Sequence, residues 1–294
     1  MQGNQPRLFD MEAVNIYPKP FLKWAGGKTQ LLPQLTPFFP RYFERYSEPF
    51  TGGAAVYWQL FTLRKQGLIQ FKTARLTDAN AELINCYVAV RDNVDELIVL
   101  LTRHRERHSK DYYYSIRSLQ VENLSPVERA ARFIYLNKTC YNGLYRVNRS
   151  GQFNVPMGSY VNPRVFEEAE LKSASFALQG VELKTADFRE VLSWAQAGDF
   201  IYFDPPYAPL SKTSSFTSYT ETPFGEEEQQ ALASVFRELD HRGCKLMLSN
   251  SWVDDTLALY KDFNCIAVKA SRAINSNPEG RGKIRELLVL NYEV

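Results

Sequence analysis

The sequence predicts an open α/β sheet with helices on both faces, in the Rossmann-like arrangement. Three stretches are typical of strands that end at a glycine or acidic turn: RYSEPF before Thr51-Gly52-Gly53, ARLT before Asp78, and FIYF before Asp204. Helical patterns lie between and after them, and such alternation favours an α/β sheet. Because ligands of these sheets bind beyond the carboxyl ends of the strands, we expect all three turns to lie at a functional site.

The last third of the chain continues this pattern. Residues 225–240 have acidic residues in their first turn and Gly243 after their end, which together predict a helix. Its apolar residues share one helical face: Ala231, Leu232, Val235, Phe236 and Leu239. The segment CKLMLSN predicts a buried strand, VDDTLALYKDF a helix, and CIAVKA and IRELLVLNYEV two closing strands.

The middle of the chain differs from the parts that predict a sheet. Residues 81–169 are basic, rich in tyrosine and interrupted by Asn and Gly, so we expect an inserted, mostly helical module there. The predicted core then consists of residues 16–80 and 170–294. The first fifteen residues, 1–15, are rich in polar residues and proline and predict a loose tail.

Charge is unevenly distributed along the chain. The formal net charge is +2, but residues 101–165 hold eleven Lys and Arg against four Asp and Glu. This block carries +7 and the remainder of the chain therefore carries −5. A basic block beside an acidic remainder indicates a polyanion contact confined to one region. On charge alone, an ordinary basic surface stays an alternative.

Composition argues against several classes of protein. The four cysteines have no paired spacing, so neither a disulfide framework nor a zinc site is expected. His104 and His108 are four residues apart but lie in an arginine-rich run without a third ligand, and we predict no metal. No apolar run approaches the roughly 18 residues that cross a membrane, and the N-terminus lacks the pattern of a secretory signal.

The glycine pair in FLKWAGGKTQLL precedes Lys28 and Thr29, as at the end of a nucleotide-binding phosphate loop. That loop requires another glycine five residues before the second one, and Leu22 stands there. Two prolines just upstream also argue against a buried strand that would feed such a loop. An ATP site is therefore not supported, and the glycine pair is expected to serve another ligand.

The strongest motif is Asp204-Pro205-Pro206-Tyr207, directly after FIYF. Two prolines fix the backbone, so a carboxylate, a carbonyl and an aromatic ring keep a set geometry. With FLKWAGGK, the glycine turn and the stretches YLNKTCYNGLYRVNRSGQFNVPMGSY and DPPYAPLSKTSSFTSY, the chain resembles the DNA amino-methyltransferases. More narrowly, from about residue 20 to the end, it resembles the Dam-type, D12-class adenine N6-methyltransferases.

The resemblance implies an S-adenosylmethionine-dependent methyltransferase core with an inserted DNA target-recognition domain. The reaction would move a methyl group to the exocyclic amine of an adenine in a short double-stranded DNA site, for which GATC is expected. Asp204 and the Pro205 carbonyl would accept the two amine hydrogens and stabilise the positive charge that develops on the nitrogen. Tyr207 would stack on the base after it leaves the helix.

The resemblance also implies a cofactor site. Asp78 would accept the ribose hydroxyls, with the N-cap of the following helix as its alternative role. Trp24 has core packing as its alternative, and Ala54 stands where the family commonly has a glycine. The full predicted set is Trp24, Ala25, Gly26, Gly27, Lys28, Phe50, Gly52, Asp78, Asp187, Phe188 and Asp204.

For DNA, the resemblance points to residues 137–160 and Lys23. Arg146 would contact a guanine edge, and Leu144 and Pro156 would meet a thymine methyl. Tyr141 and Asn142 would lie near the gap left by the base, and Lys23 would make a second base contact. Phosphate contacts would come from the remaining predicted residues: Lys138, Arg149 and Tyr160. For each arginine, a solvated surface charge is the alternative.

Two other functions stay open at this stage. The same chemistry could act on the exocyclic amine of cytosine or on RNA, or the chain could be a catalytically idle DNA-binding protein on a methyltransferase scaffold. The resemblance implies a prokaryotic or phage origin and a cytoplasmic, nucleoid-associated location. Double-stranded DNA is the expected partner, no membrane contact is expected, and the sequence leaves a cognate restriction endonuclease open.

Overall fold

The computed structural model describes residues 17–207, 224–271 and 283–293. Seven strands in these ranges form one sheet: β1 (Arg45–Glu48), β2 (Thr73–Asp78), β3 (Glu182–Thr185), β4 (Phe200–Phe203), β5 (Lys245–Ser251), β6 (Asn264–Ser271) and β7 (Lys283–Leu290). Their order is β3-β2-β1-β4-β5-β7-β6. The first five strands are parallel, and β7 lies antiparallel between β5 and β6.

The helices in the described ranges are α1 (Leu32–Leu35), α2 (Ala55–Lys65), α3 (Ala81–Asp92), α4 (Val94–Glu106), α5 (Lys110–Arg117), α6 (Pro126–Thr139), α7 (Glu168–Leu178), α8 (Glu226–His241) and α9 (Asp254–Leu259). Short 3-10 turns add to them, among which Lys28–Gln30, Tyr141–Gly143 and Phe188–Ser193 matter for the site. None of the helices described here combines the length and hydropathy needed to span a bilayer.

The sheet separates two hydrophobic clusters. Alternate residues of β4 point to opposite faces, as the period of a strand requires. Phe200 and Tyr202 pack with α2, α3, α6 and α7 on one face. Ile201 and Phe203 pack with α8 and the 3-10 turn Phe188–Ser193 on the other. Both faces are covered, which explains why this strand is apolar at every position.

The helical middle of the chain shares the first of these clusters. Helices α3, α4 and α6 pack against one another, and α3 also contacts β2, β3 and α7. Helix α6 begins with a capping box, in which Ser125 and Glu128 each bond the other's backbone N–H. The irregular segment that follows α6 is therefore carried by helices that share a continuous apolar core with the sheet.

Most strand and helix predictions are confirmed. Strand β1 ends before the glycine turn, β2 ends at Asp78, and β4 ends before Asp204, as predicted. The predicted apolar face of α8 is buried apart from Ala231, which is half-exposed. The predicted helix over VDDTLALYKDF is shorter, since α9 ends at Leu259. The sequence did not predict β3, whose residues are mostly exposed. The proposed tail, residues 1–15, lies outside the described residues.

The strand order reverses direction at one point of the sheet, between β1 and β4. From β1 the chain builds β2 and β3 to one side, and β4 and β5 later extend the sheet to the other. Adjacent parallel strands whose connections leave in opposite directions open a crevice at their carboxyl ends, where ligands of α/β sheets bind. The glycine turn after β1 and the Asp204 motif after β4 border this crevice.

Candidate active site

The turn after β1 holds a glycine whose side-chain hydrogen cannot be replaced without a clash. Gly52 has φ +46°, and a Cβ there would lie 2.7 Å from Cδ1 of Trp24. Its N–H donates to Asp78 Oδ2 over 3.0 Å, and its carbonyl accepts from the Tyr87 hydroxyl. Ala54 also adopts a left-handed conformation, φ 52°, which glycine adopts more readily than alanine. The turn is thus fixed by neighbours on β2 and α3.

Asp78 ends β2 and faces this turn. Its second carboxylate oxygen accepts from the N–H of Asn80 over 2.9 Å. Burial raises the pKa of Asp78 to about 6, against the effect of these two backbone donors. The alternative role of Asp78 as a helix cap is wrong, because the Asn80 side chain caps α3 by accepting from Leu83 N–H. Asp78 is therefore positioned by the turn and presented at the crevice.

The segment before α1 brings a lysine into the crevice. Lys28 is 4% exposed, and its Nζ lies 2.7 Å from Asp204 Oδ1 and 2.6 Å from the Gly26 carbonyl oxygen. The same ammonium lies 4.7 Å from the centre of the Tyr207 ring. Gly26 adopts φ +77°, a conformation that glycine favours, and turns its carbonyl toward the lysine. Gly27, whose N–H donates to the Trp24 carbonyl, closes this turn.

Asp204 lies at the centre of the site, directly after β4. Burial raises the pKa of its carboxyl to about 6, while the Lys28 ammonium lowers it and the Glu286 carboxylate raises it. Tyr207 in turn donates its hydroxyl to Glu286 Oε2 over 2.7 Å. Burial, Asp204 and Glu286 all raise the pKa of Tyr207, so the phenol is protonated at neutral pH.

The backbone of the motif is held from α8. Gln229 Nε2 donates to the Pro206 carbonyl over 3.0 Å, and Asn250 Nδ2 donates to Gln229 Oε1 over 2.9 Å. Because the Pro206 carbonyl is engaged by Gln229, Pro205 is the proline whose carbonyl we expect to serve a substrate. The motif is thus contacted by the N-terminal segment, by α8 and by β7.

An aromatic group lines the crevice on the side of β1. Phe50 stacks on Phe188, with ring centres 5.4 Å apart and planes 25° apart, and Phe224 packs against both. The neighbouring Asp187 is exposed; its carboxylate accepts from the backbone N–H of Arg189 and pairs with the guanidinium of that residue. The structure therefore brings Phe50 and Phe188, two of the predicted cofactor residues, into direct contact.

Two further predicted cofactor residues, Trp24 and Ala25, lie directly before the glycine pair. The Trp24 ring packs under Gly52 and stacks on Tyr145 and Phe133, with ring centres 5.7 and 6.4 Å away. Ala25 is exposed beside it. Trp24 thus joins the glycine turn to the helical module, which is compatible with both of its predicted roles.

A buried asparagine that the sequence did not single out fastens the segment after α6 to the crevice. Asn137 is 1% exposed; its Oδ1 accepts from Lys23 N–H, and its Nδ2 donates to the carbonyls of Lys23 and Gly143. Gly143 has φ +65°, and a Cβ there would lie 2.4 Å from Lys23 Cδ. The predicted DNA-contacting loop and the predicted cofactor segment are therefore parts of one surface.

Most of the predicted DNA-contacting side chains are exposed on this surface. Leu144, Tyr160 and Tyr141 are 37%, 36% and 53% exposed, and Asn142 adopts the left-handed φ of 54°. Pro156 is exposed, and its carbonyl accepts from Tyr141 N–H over 2.9 Å.

A short hairpin holds the two predicted arginines. Val147 pairs with Phe153, and Arg149 is exposed near the tip. Arg146 is also exposed, and its Nε donates to Asn154 Oδ1 over 2.6 Å. That bond fixes the direction of one guanidinium, which the sequence did not foresee.

Two lysines differ in their surroundings. Lys23 Nζ donates to the Tyr160 hydroxyl over 3.1 Å and lies 4.2 Å from the centre of that ring. Lys138 is half-buried, and burial together with repulsion by Lys23 lowers its pKa to about 8. Lys138 is thus less accessible to a DNA phosphate than an exposed lysine, although it was predicted to make a phosphate contact.

Comparisons with known proteins identify the family of the chain. The sequence model of the family described as D12 class N6 adenine-specific DNA methyltransferase matches residues 24–274. The chain belongs to this family. It is 43% identical over 97% of its length to a type II methyltransferase, M1.LlaDCHI, of Lactococcus lactis subsp. cremoris, and covers 99% of that protein.

Two further relatives are similar over nearly the whole chain. A type II methyltransferase, M.MjaIII, of Methanocaldococcus jannaschii is 46% identical, with 93% of this chain and 99% of that one covered. A DNA adenine methylase of Haemophilus influenzae is 34% identical, with 92% and 93% covered. The family and these relatives support an adenine-specific DNA methyltransferase, and the predicted Rossmann-like methyltransferase fold is confirmed by the sheet described above.

Among the described residues, no group of three His, Cys, Asp or Glu side chains has the geometry to hold a metal ion. Nδ1 of His104 and of His108 lies 2.8 Å from the hydroxyl of Tyr112 and of Tyr135, respectively. Burial and a nearby arginine lower the pKa of His104 to about 4. These histidines belong to an aromatic cluster in the helical module.

Proposed function

We propose that the chain transfers the methyl group of S-adenosylmethionine to N6 of an adenine in double-stranded DNA, within a GATC site. The observation that carries this proposal is the placement of the Asp204 carboxylate beside the glycine turn, across the crevice between β1 and β4. It puts a hydrogen-bond acceptor for an amine next to a turn suited to a nucleoside cofactor.

The residues around the glycine turn fit S-adenosylmethionine. Asp78 offers a half-buried carboxylate for two ribose hydroxyls, and Phe50 and Phe188 offer an apolar pair for the adenine ring. Gly52 cannot carry a side chain without meeting Trp24, so the shape of this turn beside Asp78 depends on glycine. When bound, this cofactor supplies an electrophilic methyl group on a sulfonium.

The chain's own residues prepare the amine for attack. The lone pair of an adenine amine is delocalised into the ring, so the amine is a weak nucleophile. Hydrogen bonds from the two N–H groups of the amine to the Asp204 carboxylate and the Pro205 carbonyl favour a tetrahedral nitrogen. They also stabilise the positive charge that develops on that nitrogen. Tyr207 offers a ring face on which a base outside the helix can stack. Alignment of the nitrogen with the methyl–sulfur bond lowers the barrier further.

We propose residues 81–169 as the target-recognition module. The charge of +7 on residues 101–165 within it suits the phosphate backbone, and Arg146 is directed by Asn154 as a reader of base edges should be. Lys23, which the Asn137 bonds join to this module, supplies a cation beside the cofactor segment. Because the relatives named above come from two bacteria and an archaeon, we propose that the chain acts on DNA in a prokaryotic cytoplasm. A cognate restriction endonuclease stays a prediction.

Methyl transfer from labelled S-adenosylmethionine to two duplexes tests this function. One duplex contains GATC, and the other has those four bases permuted. We expect label on the GATC duplex alone, and none with Asp204→Ala. Label on both duplexes would keep the reaction and overturn the GATC assignment. Tight DNA binding without label on either would favour the idle DNA-binding scaffold.

A further inference from the structure

Three hydrogen bonds connect the end of β5 to the Asp204 motif. Ser251 N–H donates to Asn250 Oδ1 over 2.8 Å, Asn250 Nδ2 donates to Gln229 Oε1 over 2.9 Å, and Gln229 Nε2 donates to the Pro206 carbonyl over 3.0 Å. Asn250 and Gln229 are 0% and 5% exposed. We call this set the amide relay. Its two side chains come from different elements, β5 and α8, and meet behind the motif.

The direction of the amide relay is fixed by its two ends. A backbone N–H only donates and a backbone carbonyl only accepts. Ser251 therefore sets the orientation of the Asn250 amide, and Pro206 sets that of Gln229; the two requirements agree at the bond between the amides. A flip of either amide would place like groups together in a buried site, which is costly. The relay thus has one low-energy arrangement.

The motif needs such an anchor because of its own composition. Pro205 and Pro206 lack backbone N–H groups, so this stretch cannot be held by donors of its own. Its carbonyls and side chains are the groups available for bonding. Lys28 bonds the Asp204 side chain and Glu286 bonds the Tyr207 hydroxyl, but the backbone between them is held by Gln229.

We propose that Gln229 and Asn250 are positioning residues for methyl transfer: they fix the Pro206 peptide and, through it, the direction of the Pro205 carbonyl and the Asp204 carboxylate. This inference rests on the proposed function. Loss of the relay leaves the cofactor and DNA contacts in place and misaligns the acceptors of the amine. Because misplacement by about 1 Å can cost on the order of a hundredfold in rate, kcat should fall while both KM values change little.

The variant Gln229→Glu tests the relay, because its carboxyl group has the same shape as the amide. When protonated, the glutamic acid donates its O–H to Pro206 and accepts from Asn250, as Gln229 does. When ionised, it places an oxygen without a proton against the Pro206 carbonyl. We therefore expect the kcat of Gln229→Glu relative to native protein to be near one at low pH. It should fall by about tenfold or more as the pH rises through the pKa of the new carboxyl, which burial raises.

The ratio to the native protein is informative because other titrating groups are common to both. Two sets of charged groups are the same in sequence in both proteins. They are Asp204 and Glu286 at the motif, and the ion pair of Arg189 with Glu228 between the 3-10 turn and α8. The matched control is Gln230→Glu, which makes the same change on the next, exposed residue of α8. Its kcat ratio to native protein should stay constant with pH.

The experiment measures methyl transfer to the GATC duplex from about pH 5.5 to about pH 8.5, with thermal unfolding recorded at each pH. A constant ratio for folded Gln229→Glu would overturn the relay. If that variant does not fold, Gln229→Met decides: it should lower kcat by about tenfold at every pH with both KM values within about threefold. Unchanged kcat in folded Gln229→Met would also overturn the inference. Absence of transfer by the native protein would instead reject the proposed function.

Discussion

The buried ammonium of Lys28 lies 2.7 Å from Oδ1 of Asp204, and it stabilises the ionised form of the carboxyl group at the centre of the site. Burial alone would favour the neutral acid, and the pKa of Asp204 is still raised to about 6. Lys28 also lies over the Tyr207 ring, where we expect the target base to stack. The ammonium thus occupies one face of that ring and contacts one of the two Asp204 oxygens.

The raised pKa of Asp204 predicts an acid limb in the activity. Only the ionised carboxylate can accept a hydrogen from the amine with full strength, so protonation of Asp204 removes activity. With S-adenosylmethionine saturating, so that Asp78 is already engaged, we expect kcat/KM for DNA to level off near pH 7 and to fall about tenfold per pH unit below pH 6. The measurement is a pH profile of methyl transfer at low DNA concentration. Constant kcat/KM down to about pH 4.5 would contradict the assignment.

Two substitutions should move that acid limb in opposite directions. Lys28 lowers the pKa of Asp204 and Glu286 raises it. Lys28→Met should therefore move the limb to higher pH, together with a loss of rate, and Glu286→Gln should move it to lower pH. Glu286→Gln keeps an oxygen that accepts from Tyr207, so its main effect is the loss of charge. Shifts in the same direction in both variants would contradict the electrostatic account.

The glycine turn predicts a difference between two glycine substitutions. Gly52→Ala adds backbone strain at φ +46° and a clash with Trp24, whereas Gly67→Ala adds strain at φ +73° with no atom within 4 Å. We expect Gly67→Ala to lower the free energy of unfolding by about 1 kcal/mol. Gly52→Ala should cost at least about 1 kcal/mol more and weaken cofactor binding. Urea unfolding and calorimetric titration measure these effects; equal stability losses would show that the turn tolerates a side chain.

The hairpin predicts separate roles for its two arginines. Arg146 is directed by Asn154, and Arg149 is exposed near the tip. Arg146→Ala should reduce discrimination between the GATC and permuted duplexes by about 10- to 100-fold. Arg149→Ala should weaken binding to both duplexes equally and lower the salt slope by about one. Binding titrations over a series of salt concentrations distinguish the two roles. If Arg146→Ala weakened binding to both duplexes equally, as expected for Arg149→Ala, Arg146 would not be a base reader.

The sequence predicts the framework of the site well, for a physical reason. A buried parallel strand such as FIYF has a strong apolar signal, and the polar turn after it marks where that strand ends. The glycine turn, Asp78 and Asp204 were therefore found from local pattern, and neighbouring parallel strands bring them together. The weakly apolar edge strand β3 had no such signal and was missed.

The contacts that orient the site could not be predicted in this way. Asn137, Gln229, Asn250 and Glu286 are ordinary polar residues in helices and strands, and their partners lie far away in the chain. Only the three-dimensional arrangement shows that each is directed at a backbone group or a motif residue. The N-cap of α3 shows a related problem, because Asp78 and Asn80 both suit the role by residue type.

The most direct test of the central claim is to identify the methylated base. GATC-containing duplex is incubated with native protein or Asp204→Asn and S-adenosylmethionine, digested to nucleosides, and analysed by mass spectrometry. The site described here predicts N6-methyladenine with the native protein and a loss of at least about a hundredfold with Asp204→Asn. N4-methylcytosine as the product, or undiminished N6-methyladenine from Asp204→Asn, would contradict it.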